Sequence, residues 1–265
     1  MNYQLKHVVA YLSYCLRRPH LNGHGIHSPF LFDFVINVVY KEPFVDINLE
    51  RIDKLRRDLR NSKETVTVED FGAGSYQNLG IQRKISEIVR FSSVSNKYGQ
   101  LLYRIANYFK PELTIELGTC LGLGTMHLAA GCPNSRVISI EGAKALCEKA
   151  NENFKHLKIE NAISRCGHFD DLLPDILKEN GKFDLLFIDG NHRRDAVIRY
   201  FNLCLPYAKN HSVIIFDDIR WSEEMLEAWL EICRDKNVKF SLDMFNFGIV
   251  FFNDKIIKQH FELYY

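Results

Sequence analysis

A chain of 265 residues, 46% of them hydrophobic, has the length for one α/β domain with an extension and can bury a sizeable core. A net charge of +1 and a pI of about 7.6 give no electrostatic case for a nucleic-acid or membrane partner, and no run reaches the ~18 apolar residues of a membrane span, so neither partner is expected. Seven scattered cysteines, with no C-x-x-C pair, read as reduced and mostly buried thiols of a cytoplasmic protein.

Leu5, Val8, Val9, Leu12 and Leu16 recur at helical spacing, which predicts an amphipathic helix over residues 4–16. A basic leader and a small-residue cleavage site are missing there, so a signal peptide is not expected. Over residues 1–63 Lys and Arg exceed acids by ten to six, a surplus that reads as a solvated face. A loop with His20, His24 and His27 follows, closed by Ser28-Pro29 as a helix start. Without cysteines beside them, these imidazoles read as a lid near a substrate or as helix caps rather than as metal ligands. Residues 30–40 predict a buried helix, and residues 50–60 a helix with Ile52, Leu55 and Leu59 on one face. A strand over 65–70 leads to the glycine loop Phe71-Gly-Ala-Gly-Ser75, containing Gly72 and Gly74. Helices are then expected over 81–90, with Ile81, Ile85, Ile88 and Val89 inside, and over 97–109, with Leu101, Leu102, Ile105 and Phe109 inside.

Strands predicted over 113–117, 136–141, 162–166, 183–189 and 212–217 alternate with helices, which is the pattern of a parallel sheet covered on both faces. Two closing strands, 238–245 and 248–252, predict an antiparallel hairpin. The stretch at residues 114–125 joins strand to helix through Gly118, Gly122 and Gly124, where a ligand can approach the main chain without a Cβ in the way. Acid, one residue, Gly118, three residues, Gly122, one residue, Gly124 is not the dinucleotide spacing G-x-G-x-x-G. A second strand ends in Glu141, 25 residues after Glu116, where an acceptor for ribose hydroxyls is expected. The D-x-G-x-G run from Asp70 to Gly74 competes for the same role and loses, because no strand with a terminal acid follows it at that distance.

The order Glu116-x-Gly118-x3-Gly122-x-Gly124 resembles motif I of the class I S-adenosylmethionine-dependent methyltransferases. That resemblance implies a Rossmann-like, mainly parallel seven-stranded sheet with a C-terminal antiparallel hairpin, divided into a helical extension over 1–92 and a cofactor domain over 93–265. It also implies S-adenosylmethionine on Glu116, Gly118, Thr119, Gly122, Gly124 and Thr125, its ribose on Glu141 beside Gly142, and its adenine near Gly167, His168 and Phe169. Asp170 is expected to cap the helix that follows.

Asp189 ends the fourth of these strands, and Asp217 and Asp218 end the fifth. Hard cations such as magnesium take oxygen ligands of this kind. The pattern is similar to the metal-dependent O-methyltransferases of small molecules, which implies Asp189, Asp217 and Asp218 as metal ligands, with Asp189 also at the cofactor site; Asp218 departs from the Asn of the catechol-type members. His192, three residues after Asp189, is a reasonable general base. The Pro-Pro-aromatic run of amino methyltransferases is absent after the fourth strand. The expected protein is therefore an O-methyltransferase of a small hydroxylated acceptor assisted by a divalent cation. A metal-free O- or N-methyltransferase and a non-catalytic cofactor-binding protein are the alternatives, and the oligomeric state is open, a homodimer included.

Overall fold

The computed structural model describes residues 3–41, 46–68, 82–253 and 257–265. The helices are α1 (Tyr3–Arg17), α2 (Pro29–Phe34), α3 (Ile47–Arg60), α4 (Ile85–Phe91), α5 (Asn96–Phe109), α6 (Leu123–Gly131), α7 (Lys144–Leu157), α8 (Phe169–Asn180), α9 (Arg194–Cys204) and α10 (Glu223–Arg234). The strands are β1 (Thr65–Thr67), β2 (Gln82–Lys84), β3 (Leu113–Leu117), β4 (Arg136–Glu141), β5 (Ala162–Cys166), β6 (Phe183–Ile188), β7 (Ala208–Phe216), β8 (Phe240–Met244), β9 (Phe247–Phe251) and β10 (Gln259–Glu262). β1 and β2 pair by themselves, and the other eight form one sheet in the order β10-β8-β9-β7-β6-β3-β4-β5. The expected parallel sheet with its antiparallel hairpin is present, with an eighth strand, β10, lying parallel to β8 at the edge.

The chain divides into two compact units, Glu42–Leu185 and Met1–Lys41 with Leu186–Tyr265. In the first, β3, β4 and β5 run parallel in a register that sets Leu117 against Ile140 and Glu141 against Cys166, so their carboxyl ends finish together. β3 is buried at all five positions, which fits a strand covered on both faces. α5 packs on α6 at very close range: a Cβ on Gly131 would stand 2.3 Å from the Tyr103 carbonyl oxygen, and one on Gly99 2.7 Å from the His127 ring. α3 starts at Asp46, whose carboxylate accepts from the amides of Asn48 and Leu49.

In the second unit β9 runs antiparallel to both β7 and β8. Asp243 on β8 is 2% exposed and holds Arg220 through two hydrogen bonds, of 2.5 and 2.7 Å, and also accepts from Trp229 Nε1 and the Phe245 amide. The Tyr14 hydroxyl of α1 donates to the Leu263 carbonyl, tying the first helix to the last residues; burial pushes that phenol well above its ordinary range.

Several expectations need correction. The helix expected over 30–40 is α2 continued by a π-turn, Val35–Val39. The helix expected from residue 81 begins at Ile85, because Gln82–Lys84 pair with Thr65–Thr67 as a strand. The Gly72–Gly74 loop lies outside the described residues. α8 is capped from position 168, and Asp170 lies inside its first turn rather than at its cap, where its charge still favours the positive end of the helix.

Candidate active site

In the first unit the candidate cofactor-binding residues gather at the carboxyl ends of β3, β4 and β5. Glu116 is 1% exposed and accepts a short hydrogen bond from the Thr125 hydroxyl on the first turn of α6. Burial pushes this carboxyl up to about 7, with the Ser139 and Thr125 hydroxyls pulling the other way and the Glu141 charge adding to the rise. The loop between them turns back on the sheet: the Gly118 and Thr119 amides donate to the Ile140 carbonyl. Gly118 and Gly122 have φ of 105° and 80°, and a Cβ on Gly122 would meet the Phe154 ring at 2.5 Å, so glycine is required there on both counts. Thr119 forms a hydroxyl chain with Ser139 at 2.5 Å and Ser164 at 2.9 Å, all of them buried.

Glu141 accepts the Cys120 amide on one oxygen and the Ala143 amide on the other, at 2.8 and 2.9 Å. A carboxylate oxygen can accept more than one hydrogen bond. Gly142 follows it, partly exposed, and the Gly167 amide donates to the Glu141 carbonyl. Gly167, His168 and Phe169 form the turn into α8, with His168 exposed and Phe169 half-buried. Gly124 sits inside the first turn of α6, buried with Thr125. Cys166 precedes Gly167 and is the one exposed thiol of the seven.

Two supports of this loop escaped the sequence reading. Asn153 of α7, 5% exposed, donates to the Leu121 carbonyl at 3.0 Å; a polar residue inside the stripe Leu146, Ala150, Phe154, Leu157 was its signal. His127 is fully buried and its Nδ1 lies 2.7 Å from the Leu123 carbonyl, on the turn that carries the glycines. Burial pushes that imidazole down to about 4, so it is neutral, with Nδ1 the donor.

In the second unit a separate acidic group lies at the ends of β6 and β7. The Asp217 amide donates to the Ile188 carbonyl, which brings the residue after β7 beside Asp189, the residue after β6. Asp218 has φ of 53° and gives its amide to Asp217 Oδ1 at 2.7 Å. Burial, and then the Asp218 charge, push the Asp217 carboxyl well above the usual range, against the hydrogen bonds from the Asp218 amide and to the Asp189 side chain. His192 Nε2 stands 4.0 Å from Asp189 Oδ1 and 3.8 Å from Asp218 Oδ2, and burial lowers its pKa while Asp218 opposes that. Its ring lies 5.9 Å from that of Trp221. Asn191, at φ of 51°, donates to the Tyr200 hydroxyl, and its buried Oδ1 has no partner.

Asp189, His192, Asp217 and Asp218 thus meet in pairs at the ends of the neighbouring strands β6 and β7. Among the described residues no group of three or more His, Cys, Asp or Glu stands as a ready metal-ligand set. In kind the donors suit a hard cation, since two carboxylates crowd each other and one is held towards its protonated form. Of the loop histidines, His20 takes up the His24 carbonyl at 2.8 Å and packs its ring on Phe261.

A methyltransferase-domain family model matches residues 115–219, from β3 through the Asp217–Asp218 turn. The uncharacterized protein R132 of Acanthamoeba polyphaga mimivirus is 30% identical over 159 residues, covering 55% of this chain and 71% of that protein. A catechol O-methyltransferase of Niastella koreensis is 28% identical over 130 residues, 48% of this chain and 58% of the enzyme, so the match spans just over half of that relative. Among solved structures, an O-methyltransferase from Bacillus cereus in complex with SAH shares the fold, with a TM-score of 0.55 at 18% identity, covering 84% of this chain and 97% of that one. Sheet order, glycine loop and relatives define a class: the chain belongs to the class I S-adenosylmethionine-dependent methyltransferases. The two of these relatives whose names state an activity are O-methyltransferases.

Proposed function

We propose that the chain transfers the methyl group of S-adenosylmethionine to a hydroxyl of a small acceptor, with Asp189, Asp217 and Asp218 holding a divalent cation and His192 acting as base. The observation that carries this reading is that Asp189, His192, Asp217 and Asp218 approach one another pairwise at the ends of β6 and β7. The sulfonium methyl is already a strong electrophile, so the chain must fix the donor, orient the hydroxyl and take its proton.

Gly118, Gly122 and Gly124 leave room for the donor's amino-acid end, flanked by Thr119 and Thr125. Glu116 serves it indirectly by fixing Thr125. Glu141 holds the ribose, and Gly142, Gly167, His168 and Phe169 border the adenine. On the acceptor side, a cation on Asp189, Asp217 and Asp218 would lower the pKa of the bound hydroxyl and fix its direction. His192, neutral through burial, is in the form that accepts a proton. In this reading residues 1–92 serve as an extension and lid to a transfer domain over 93–265.

A metal-free transferase is favoured by one observation: Asp217 and Asp189 share a hydrogen bond that eases their repulsion without an ion. Calorimetric titration of magnesium, then manganese, into protein loaded with S-adenosylhomocysteine separates the two. Binding in wild type that is lost in both Asp217→Ala and Asp218→Ala supports the cation. No binding in wild type, with the cofactor in place, removes it, and catechol turnover in excess chelator would then test Asp189 and His192 alone.

A further inference from the structure

Helix α1 has two apolar faces, and among the described residues only one of them is covered. The rings of His7, Tyr11 and Tyr14 turn inward to within 5.0–5.3 Å of the Phe245 ring. Diametrically opposite, by the helical period, stand Leu5, Val9, Leu12 and Leu16, which are 54, 52, 56 and 85% exposed. Among the described residues, half of the twelve exposed large hydrophobic ones lie on this helix, so the stripe is a patch and not the scatter of an ordinary surface.

We propose that α1 docks flat on an anionic lipid surface through Leu5, Val9, Leu12 and Leu16. Its 15 residues cannot span a bilayer, and among the described residues no helix is long and apolar enough to do so. Charge favours this occupant over a second copy of the chain. Residues 1–32 contain Lys6, Arg17 and Arg18 but no Asp or Glu. By helical position Arg17 stands on one flank of the stripe, where a helix lying in the headgroup layer carries its cations. Arg17 keeps its side chain 58% exposed while pairing with Glu262 at 3.0 Å. Two α1 helices packed on each other would set cation against cation with no acid in either. Their contact, roughly 16 Å long, also falls short of the ~800 Å² per partner of a stable dimer. A lipid surface needs neither shape complementarity nor acids.

The inward face of the same helix carries His7, which feels the charges of Arg220 and Asp218.

Cosedimentation of the full chain with vesicles of phosphatidylcholine, with and without about 30% phosphatidylglycerol, tests this. The expected result is partition into the anionic vesicles roughly tenfold or more above the neutral ones, reduced by high salt and lost in Leu12→Glu/Leu16→Glu at unchanged melting temperature. Absence of wild-type binding, or equal binding by the double variant, overturns the proposal. So does light scattering that finds a dimer in solution which the double variant splits. Should the double variant unfold, Leu16→Trp decides: its added emission shifts to the blue on anionic vesicles if the face inserts, and no shift sinks the idea.

Discussion

At the scale of single residues, two buried titratable groups beside the glycine loop oppose each other. Burial holds His127 at about 4, against 6.5 for a free imidazole, so between those values the unfolded chain binds the extra proton and stability rises with pH. Glu116 is held at about 7, above its ordinary 4.5, so between 4.5 and 7 the folded chain binds the extra proton and stability falls as pH rises. Each shift corresponds to ~3 kcal/mol, and where the windows overlap the slopes cancel. Removing one should unmask the other. Denaturant melts of cofactor-free Glu116→Gln are expected to show stability climbing from pH 4 to 6.5, and those of His127→Gln stability declining from pH 4.5 to 7. A flat profile in both variants would mean that neither group carries the linkage. Glu116 was legible as a strand-end acid of the glycine motif. His127 was not, since a lone histidine in an apolar helix says nothing of the carbonyl opposite it.

At the scale of elements, the contact of α5 with α6 places a helix glycine against the backbone of its neighbour. An alanine at Gly131 meets the Tyr103 carbonyl, which cannot rotate away, so Gly131→Ala is expected to cost ~3 kcal/mol or more by urea denaturation. The Arg220–Asp243 pair joins the turn after β7 to the closing hairpin. Asp243→Asn leaves Arg220 facing a neutral amide in a buried site, and a loss of ~3–5 kcal/mol is expected, with the acidic cluster next to Arg220 losing its order. Periodicity found the sheet because its strands are apolar runs bounded by Gly and acid. It missed β2, whose Gln-Arg-Lys carries no apolar pattern and becomes a strand only by pairing with β1. It missed β10 for the same reason: Gln-His-Phe-Glu is an edge with its side chains partly in water. The π-turn after α2 left no mark in composition at all.

For the whole molecule, the donor site predicts a ligand-linked stability. S-adenosylhomocysteine at a hundredfold excess over its Kd should stabilise the fold by ~2.7 kcal/mol, seen as a rise in melting temperature. Glu141→Gln, which keeps the side-chain length but loses a charge and one main-chain acceptor, should shrink that rise. An undiminished rise would move the ribose elsewhere. The glycine loop was readable because glycine spacing and strand-end acids are local features. The acidic group was readable as three aspartates, yet their pairing with His192, and the partnerless Asn191 oxygen beside them, exist only once β6 and β7 are folded.

The thiol of Cys166 stands exposed at the mouth of the Gly167 turn, while the other six cysteines are buried or partly covered. A maleimide dye should therefore couple there first, with no engineered handle. If the adenine rests on that turn, the coupling rate becomes a clock for donor occupancy: saturating S-adenosylhomocysteine should slow it, and the labelled protein would report cofactor release in real time, independently of any acceptor.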